Sequence, residues 1–355
     1  MDVAPEFWRG RQVLLTGHTG FKGSWMTLWL QALGAQVTGL SVDVPTEPSL
    51  FRLTRLDEMV EWIEADVRDH DAVRAVVART RPEIVVHMAA QSLVRRSYAD
   101  PRGTYETNVM GTVNLLDAVR QAADVRVLIN VTSDKCYENR ESGRSYREDD
   151  AMGGDDPYSS SKGAAELVTS AYRSSFFSNP GDAMIASVRA GNVIAGGDWG
   201  EDRLVPDLMR AALAGLPLGV RNPTAVRPWQ HVLNPLSGYL VLAQALWDDS
   251  ALAMGWNFGP SEDDVQPVQW LVERIAERWP GGVRSQIDPG PHPREAHALR
   301  LDSSRARARL GWRPHWDLAS GIDAVVEWYA AYADGADPQA LSLTQIEAFS
   351  AARAL

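Results

Sequence analysis

The sequence predicts an α/β fold, a doubly wound parallel sheet with a smaller C-terminal lobe interleaved with it. Three observations carry that prediction. Short runs rich in Val, Ile and Leu alternate with helix-patterned segments through the first 190 residues. A glycine-spaced turn joins the first run to the first helix, and the alternation loosens beyond about residue 190. Parallel strands covered by helices on both faces are apolar along their whole length, which is the character of these runs.

In order, the predicted strands are Gln12–Thr16, Gln36–Val42, Trp62–Val67 (the weakest), Glu83–Ala89, Val125–Val131 and Ala183–Arg189. Helical spacing is plain in ETNVMGTVNLLDAV, where Val109, Val113, Leu116 and Val119 recur three and four apart. Beyond residue 190, GNVIAGGDWGED and RNPTAVRPWQ (Arg221–Gln230) read as irregular, on their glycines and prolines. Pro235–Trp247 and Val268–Trp279 read as helices, Gly255–Gly259 as a strand, and Asp288–His297 as a Pro-rich loop. Residues 1–190 thus form one domain, with elements returning to it near 230–260, and residues 191–355 form mainly the second lobe.

Composition narrows the function. With 45% hydrophobic and 23% charged residues, the chain has the balance of a globular protein with a sizeable core. A net charge of −11 argues against non-specific nucleic-acid or membrane-surface binding, which needs a basic face. Cys136 is the only cysteine, so no intrachain disulfide forms and a reducing compartment fits. The N-terminus lacks the basic-then-apolar pattern of a signal peptide, and no apolar window approaches the roughly 18 residues of a membrane span. A cytoplasmic location is expected. The seven histidines show no metal-ligand spacing, so no metal site is expected.

TGHTGFKG (Thr16–Gly23) follows the first strand and opens the first helix, with Gly17, Gly20 and Gly23 three apart. This pattern suits a tight turn at Gly17, close approach of a pyrophosphate at Gly20 and helix–strand packing at Gly23. Phosphates would then meet unpaired N–H groups at a helix N-terminus. Asp43 falls 20 residues after Gly23, where a carboxylate accepts from ribose hydroxyls and repels a 2′-phosphate, favouring NAD over NADP. A plain glycine turn is the alternative.

YSSSK places Tyr158 and Lys162 one turn apart on one helix face, starting beside Pro157. An ammonium beside a phenol favours the phenolate and makes it a plausible base, although a surface pair has the same spacing. VTSDKCYEN sets Ser133, Asp134 and Lys135 where the fifth apolar run ends, either as a solvated turn or as a proton-handling site. Ligands of open α/β sheets bind beyond the carboxyl ends of strands, which favours the second.

Together TGHTGFKG, HMAAQ (His87–Gln91), TSDK and YSSSK resemble the extended short-chain dehydrogenase/reductase family, over nearly the whole chain. The resemblance implies a Rossmann-type NAD-binding domain, a substrate-binding second lobe, and NAD held by Gly17, Gly20, Phe21, Lys22, Gly23, Asp43, Asp66, Val67, Ala89, Ala90, Gln91, Thr132, Tyr158 and Lys162. Segments GDWGEDRLVPD, RPWQHVLNPLSGYL and REAHALRLDSSRARARLGW are most similar to members that dehydrate nucleotide sugars. That implies CDP-glucose or a related nucleotide sugar as substrate, in deoxysugar and lipopolysaccharide biosynthesis.

By the same resemblance Tyr158 is the base at the sugar's 4-hydroxyl and Asp134 the acid at its 6-hydroxyl. Ser133 bonds the sugar, and Lys135 stands where related enzymes carry the glutamate base for carbon 5. Asn192, Arg203, Arg210, Arg227, His231 and Arg300 are expected to contact substrate, with surface arginines and a packed histidine as the alternatives. Trp25, Trp29, Trp256 and Trp312 are expected to pack. The helices around Val109–Val119 and Tyr158–Tyr172 resemble those that pair across the family's dimer. Open alternatives are another nucleotide-sugar 4,6-dehydratase, an epimerase, or a catalytically silent NAD-binding regulatory protein.

Overall fold

The computed structural model describes residues 1–140, 143–220, 222–282, 284–287 and 299–352. Its centre is a seven-stranded parallel sheet of β1 (Gln12–Thr16), β2 (Gln36–Ser41), β3 (Glu61–Glu64), β4 (Ile84–His87), β5 (Val127–Val131), β6 (Met184–Arg189) and β7 (Gly255–Asn257). The spatial order is β7-β6-β5-β4-β1-β2-β3, all pairs parallel. The order reverses between β1 and β4, the switch point where such sheets open a crevice.

Alternate strand residues feed two separate cores. Val13, Leu15, Ile84, Val86, Val127 and Ile129 face one layer, while Leu14, Val85 and Leu128 face the other. Burial on both sides is why these strands look continuously apolar rather than alternating. Trp25, Trp29, Trp256 and Trp312 are all buried in the larger core, as expected of packing residues.

The structure departs from the sequence expectation in four places. β3 ends at Glu64, three residues short, because it is an edge strand paired only to β2. The segment around Val109 is not one regular helix: a π turn at Glu106–Met110 precedes the helix Gly111–Arg120. The extra residue in that turn rotates the buried face, so Asn108, Leu115 and Leu116 point inward while Val109 and Val113 are half-buried. The two segments expected to be irregular contain strands of two or three residues, Val193–Ile194 on Gln230–His231 and Val226–Pro228 on Val265–Pro267. Ladders that short leave no period to detect.

The helices expected at 235–247 and 268–279 are Leu233–Leu246 and Val268–Arg278. The predicted loop 288–297 lies outside the described residues, as does Arg221. Among the described residues no helix is long and apolar enough to cross a membrane.

Candidate active site

The phosphate loop is built by steric exclusion. Gly17 has φ +73°, and a Cβ there would lie 2.6 Å from the Ala89 nitrogen. A Cβ on Gly23 would lie 2.1 Å from the Gly17 carbonyl oxygen, so only glycine lets the helix Phe21–Ala32 pack on the turn. Gly20, by contrast, meets nothing closer than 3.4 Å and leaves its outer side free for a ligand. No side chain caps that helix, so its first N–H groups and its dipole face the crevice. Asp43 lies exposed two residues past β2, its carbonyl tied to Thr19 Oγ1 at 2.6 Å and its carboxylate free of that bond.

Ser133, Asp134 and Lys135 form a turn off the end of β5. The Asp134 N–H still donates to the Ala190 carbonyl, extending the β5–β6 pairing. The turn is not solvated: Ser133 is 7% and Asp134 3% exposed. Ser133 Oγ donates to Asp134 Oδ1 at 3.1 Å and accepts from the Lys135 N–H at 3.2 Å. Burial raises the proton affinity of Asp134, against the opposing pull of Lys135, Ser133 and Arg227, which suits a carboxyl that must donate a proton. Lys135 is half-buried, and among the described residues its ammonium bonds to no acceptor.

The helix Pro157–Phe176 starts as its sequence suggests. Pro157 is the first helical residue, and the Asp156 carboxylate accepts from the Ser159 N–H and hydroxyl. Tyr158 and Lys162 follow on its buried face. Burial pushes the Tyr158 phenol up to about 12, while Ser133 and Arg203 pull the other way. Burial draws the Lys162 ammonium down to about 8, with the Glu166 carboxylate acting against it. Lys162 Nζ donates to the Val131 carbonyl at 3.4 Å. A hydroxyl, an acid, a phenol and an ammonium therefore converge at the carboxyl ends of β4 and β5.

The chain as a whole is similar to known proteins. A family model described as GDP-mannose 4,6 dehydratase matches residues 14–325. The chain belongs to that family. It is 49% identical over 356 residues to CDP-glucose 4,6-dehydratase of Salmonella typhimurium, covering 99% of each chain. The structure of UDP-glucose 4-epimerase from Thermus thermophilus in complex with NAD superposes with a TM-score of 0.76 at 27% identity, covering 90% of this chain and 98% of that one. The dTDP-glucose 4,6-dehydratase DesIV from Streptomyces venezuelae, at 24% identity and a TM-score of 0.73 over 92% of this chain and 99% of that one, shares the fold.

Within this member of the GDP-mannose 4,6 dehydratase family, the other expected site residues divide. Arg203 comes close enough to influence Tyr158, but its guanidinium is bound to Asp198 at 3.1 Å and to Ser92 Oγ at 3.2 Å. Arg227 is buried beside Asp134, and Asn192 lies half-buried beside Arg227's strand. Arg300 is exposed and lines a small cleft with Pro228 and Glu262. Arg210 is spent on its own loop, donating to the Trp199 and Gly200 carbonyls and pairing with Asp207. His231 is not brought to the cluster: its ring is buried against Trp25 and Trp316, and burial pulls its pKa to about 3.

Among the cofactor candidates, Asp66 is engaged by Arg68 and Val67 packs in the core. Ala90 is half-buried just past β4, where Ala89 donates its N–H to Thr16 Oγ1. The Gln91 side-chain amide bonds Leu93 and Thr104 while Asn108 holds its backbone N–H and carbonyl, and the Thr132 hydroxyl bonds Glu166 while its N–H donates to the Val188 carbonyl.

Two contacts escaped the sequence, which placed Lys22 only among the NAD-binding residues. Lys22 reaches across the crevice, its ammonium donating to Tyr239 Oη at 2.7 Å, and burial with repulsion from Lys162 draws it down to about 7. Glu166 stands one turn past Lys162 and pairs with Arg189 on β6. The i,i+4 spacing of YSSSKGAAE signals Glu166, but nothing in the sequence pairs Lys22 with a tyrosine 217 residues away.

Proposed function

We propose that the chain catalyses NAD-dependent dehydration of CDP-D-glucose to CDP-4-keto-6-deoxy-D-glucose: oxidation at carbon 4, loss of water across carbons 5 and 6, and return of hydride to carbon 6. The observation that carries this reading is the buried Asp134 carboxyl on the same turn as Ser133 and Lys135, facing the Tyr158–Lys162 helix. An epimerase needs a base at carbon 4 but no acid and base for carbons 6 and 5. The 49% identity to a CDP-glucose enzyme along 99% of both chains supports the choice of nucleotide.

A dinucleotide fits the residues present. Gly17 and Gly23 let the turn form, Gly20 leaves room at an uncapped helix N-terminus, and the exposed Asp43 carboxylate suits an unphosphorylated ribose. Bound NAD supplies a reversible hydride store. Tyr158 takes the proton from the 4-hydroxyl, assisted by Ser133 and by the Lys162 ammonium, which together with a cationic ring favours the phenolate. Asp134, whose proton affinity burial raises, hands its proton to the departing 6-hydroxyl. Lys135 takes the carbon-5 proton when neutral. Arg227 and Arg300 serve the substrate pyrophosphate, with guanidinium geometry suited to it.

In this reading residues 1–190, with returns near 230–260, bind NAD, and 191–355 mainly bind substrate. The enzyme works in the cytoplasm as a homodimer or higher oligomer, an association supported by exposed Met110 and Leu167 on the segments 106–120 and 157–176 and by exposed Tyr105 just before the first. Light scattering gives the mass. The reaction itself is checked with a panel of nucleoside-diphosphate glucoses and catalytic NAD. CDP-glucose should give the keto sugar with no net NADH, whereas persistent stoichiometric NADH would overturn the redox-neutral cycle and no turnover at all would leave only an NAD-binding protein.

A further inference from the structure

Behind the Tyr158–Lys162 pair, the helix Pro157–Phe176 carries a third buried group at the same spacing. Glu166 stands one turn past Lys162, so phenol, ammonium and carboxylate line one helix face. Glu166 is 4% exposed and accepts four hydrogen bonds. Thr132 Oγ1 at 2.5 Å and Arg189 Nε at 2.9 Å share one oxygen, and Ser187 Oγ at 2.6 Å and Arg189 Nη2 at 2.7 Å share the other. Burial disfavours the charge, but Arg189 and these hydroxyls outweigh it and hold the carboxyl below its ordinary range.

Those bonds explain how a carboxylate survives in the interior. They do not explain why one is placed beside Lys162. The groups facing that ammonium are Glu166 on its own helix, Lys22 from the helix Phe21–Ala32, His87 from β4 and Cys136 beyond β5. Burial keeps His87 and Cys136 neutral, and Lys22 competes for the same charge. Among the described residues, Glu166 is the carboxylate that favours the ammonium.

We propose that Glu166 is a positioning residue for proton transfer at Tyr158: its buried carboxylate keeps Lys162 an ammonium, and that ammonium makes the phenolate accessible near neutral pH. The inference rests on Tyr158 being the base. Arg189 has its own partners in the Tyr137 phenol and the Glu148 carbonyl, so it neutralises Glu166 toward the sheet without standing between Glu166 and Lys162.

The test is the paired variant E166Q/R189M. The glutamine retains bonds to Thr132 and Ser187 while both buried charges go. A ¹⁵N NMR titration of the Lys162 ammonium in the protein without nucleotide, assigned by its loss in K162M, should show the midpoint falling by about one unit. With saturating NAD, the rising limb of kcat/KM against pH should move up by about one unit, a loss of about tenfold at pH 7, while KM for the nucleotide sugar changes less than about twofold. E166Q alone, which leaves Arg189 uncompensated, shifts both in the same direction and provides the answer if the pair does not fold. E166D keeps the charge and should keep the limb. Folded variants that lose thermal stability with neither midpoint moved would overturn the proposal, leaving Glu166 a purely structural group. A lysine midpoint that falls while the limb stays put would overturn the link to Tyr158, and with it the assignment of Tyr158 as base.

Discussion

Two clusters of buried charge lie one helical turn apart and behave oppositely. Around Glu166 and Arg189, both carboxylate oxygens and every guanidinium nitrogen have partners, and the partners win over burial: Glu166 is held below its ordinary range and Arg189 above. Around Tyr158, Lys162, Asp134 and Lys22 burial is similar but partners are few, and burial wins. There Lys162 sinks to about 8, Lys22 to about 7, and the Tyr158 phenol and Asp134 carboxyl rise. The difference teaches where proton chemistry can live. A fully bonded ion pair is fixed in its charged form, whereas an under-partnered buried group has both forms within reach.

The comparison is broken most directly by removing one member from each side. Tyr158→Phe should cut kcat by roughly 1,000-fold, the scale of a lost general base, with a thermal melt close to that of the parent. Arg189→Ala should do the reverse, costing roughly 3–5 kcal/mol in urea unfolding by stranding the Glu166 carboxylate. A tyrosine variant that unfolds, or an arginine variant that loses under about 1 kcal/mol, would erase the distinction.

Asp134→Asn sharpens it within the under-partnered side. Water loss should slow by about 100-fold in single-turnover runs while the initial oxidation stays within a few-fold, because the amide has no proton to give. Equal loss in both steps would count against the acid role.

The smallest effect per group comes from three buried histidines. His18, His87 and His231 are buried with pKa values drawn down to about 4, 3 and 3. Unfolded histidines bind protons below about 6.5, so between that pH and the folded values the unfolded state holds more protons and stability falls as pH falls. Each should remove about 1.4 kcal/mol between pH 7.5 and 5.5, read from urea melts at the two values. A flat profile would show that the imidazoles titrate in the fold as they do in the unfolded chain, and would overturn the effect of burial.

Much of this was legible in the residues. The apolar runs marked five of the seven sheet strands in the first 190 residues because burial on both faces leaves no polar alternation to blur them, while the edge strand β3, with no fully buried residue, left only the weakest run. The seventh, Gly255–Asn257, was found by its short apolar run, although its return to the edge beside β6 is a tertiary fact. The glycine spacing gave the loop, since Gly17 and Gly23 are places where any Cβ collides with backbone. The Tyr158–Lys162 spacing was visible for the same local reason: helical periodicity fixes which side chains share a face.

What no local pattern encodes is which distant groups meet. Only packing decided that Ser133–Asp134 is buried rather than a solvated turn. Packing also put His231 between two tryptophans, tied Arg210 to its own loop, and brought Lys22 to Tyr239. The π turn at Glu106–Met110 belongs here too, because it turns Asn108 inward to hold the Gln91 backbone and Ser161. Sequence by itself determined strands, turns and helix faces, which depend on sterics and hydrophobic period within a few residues. The protonation states at the site depend on desolvation and on partners far apart in the chain, and those existed only once the sheet had closed around them.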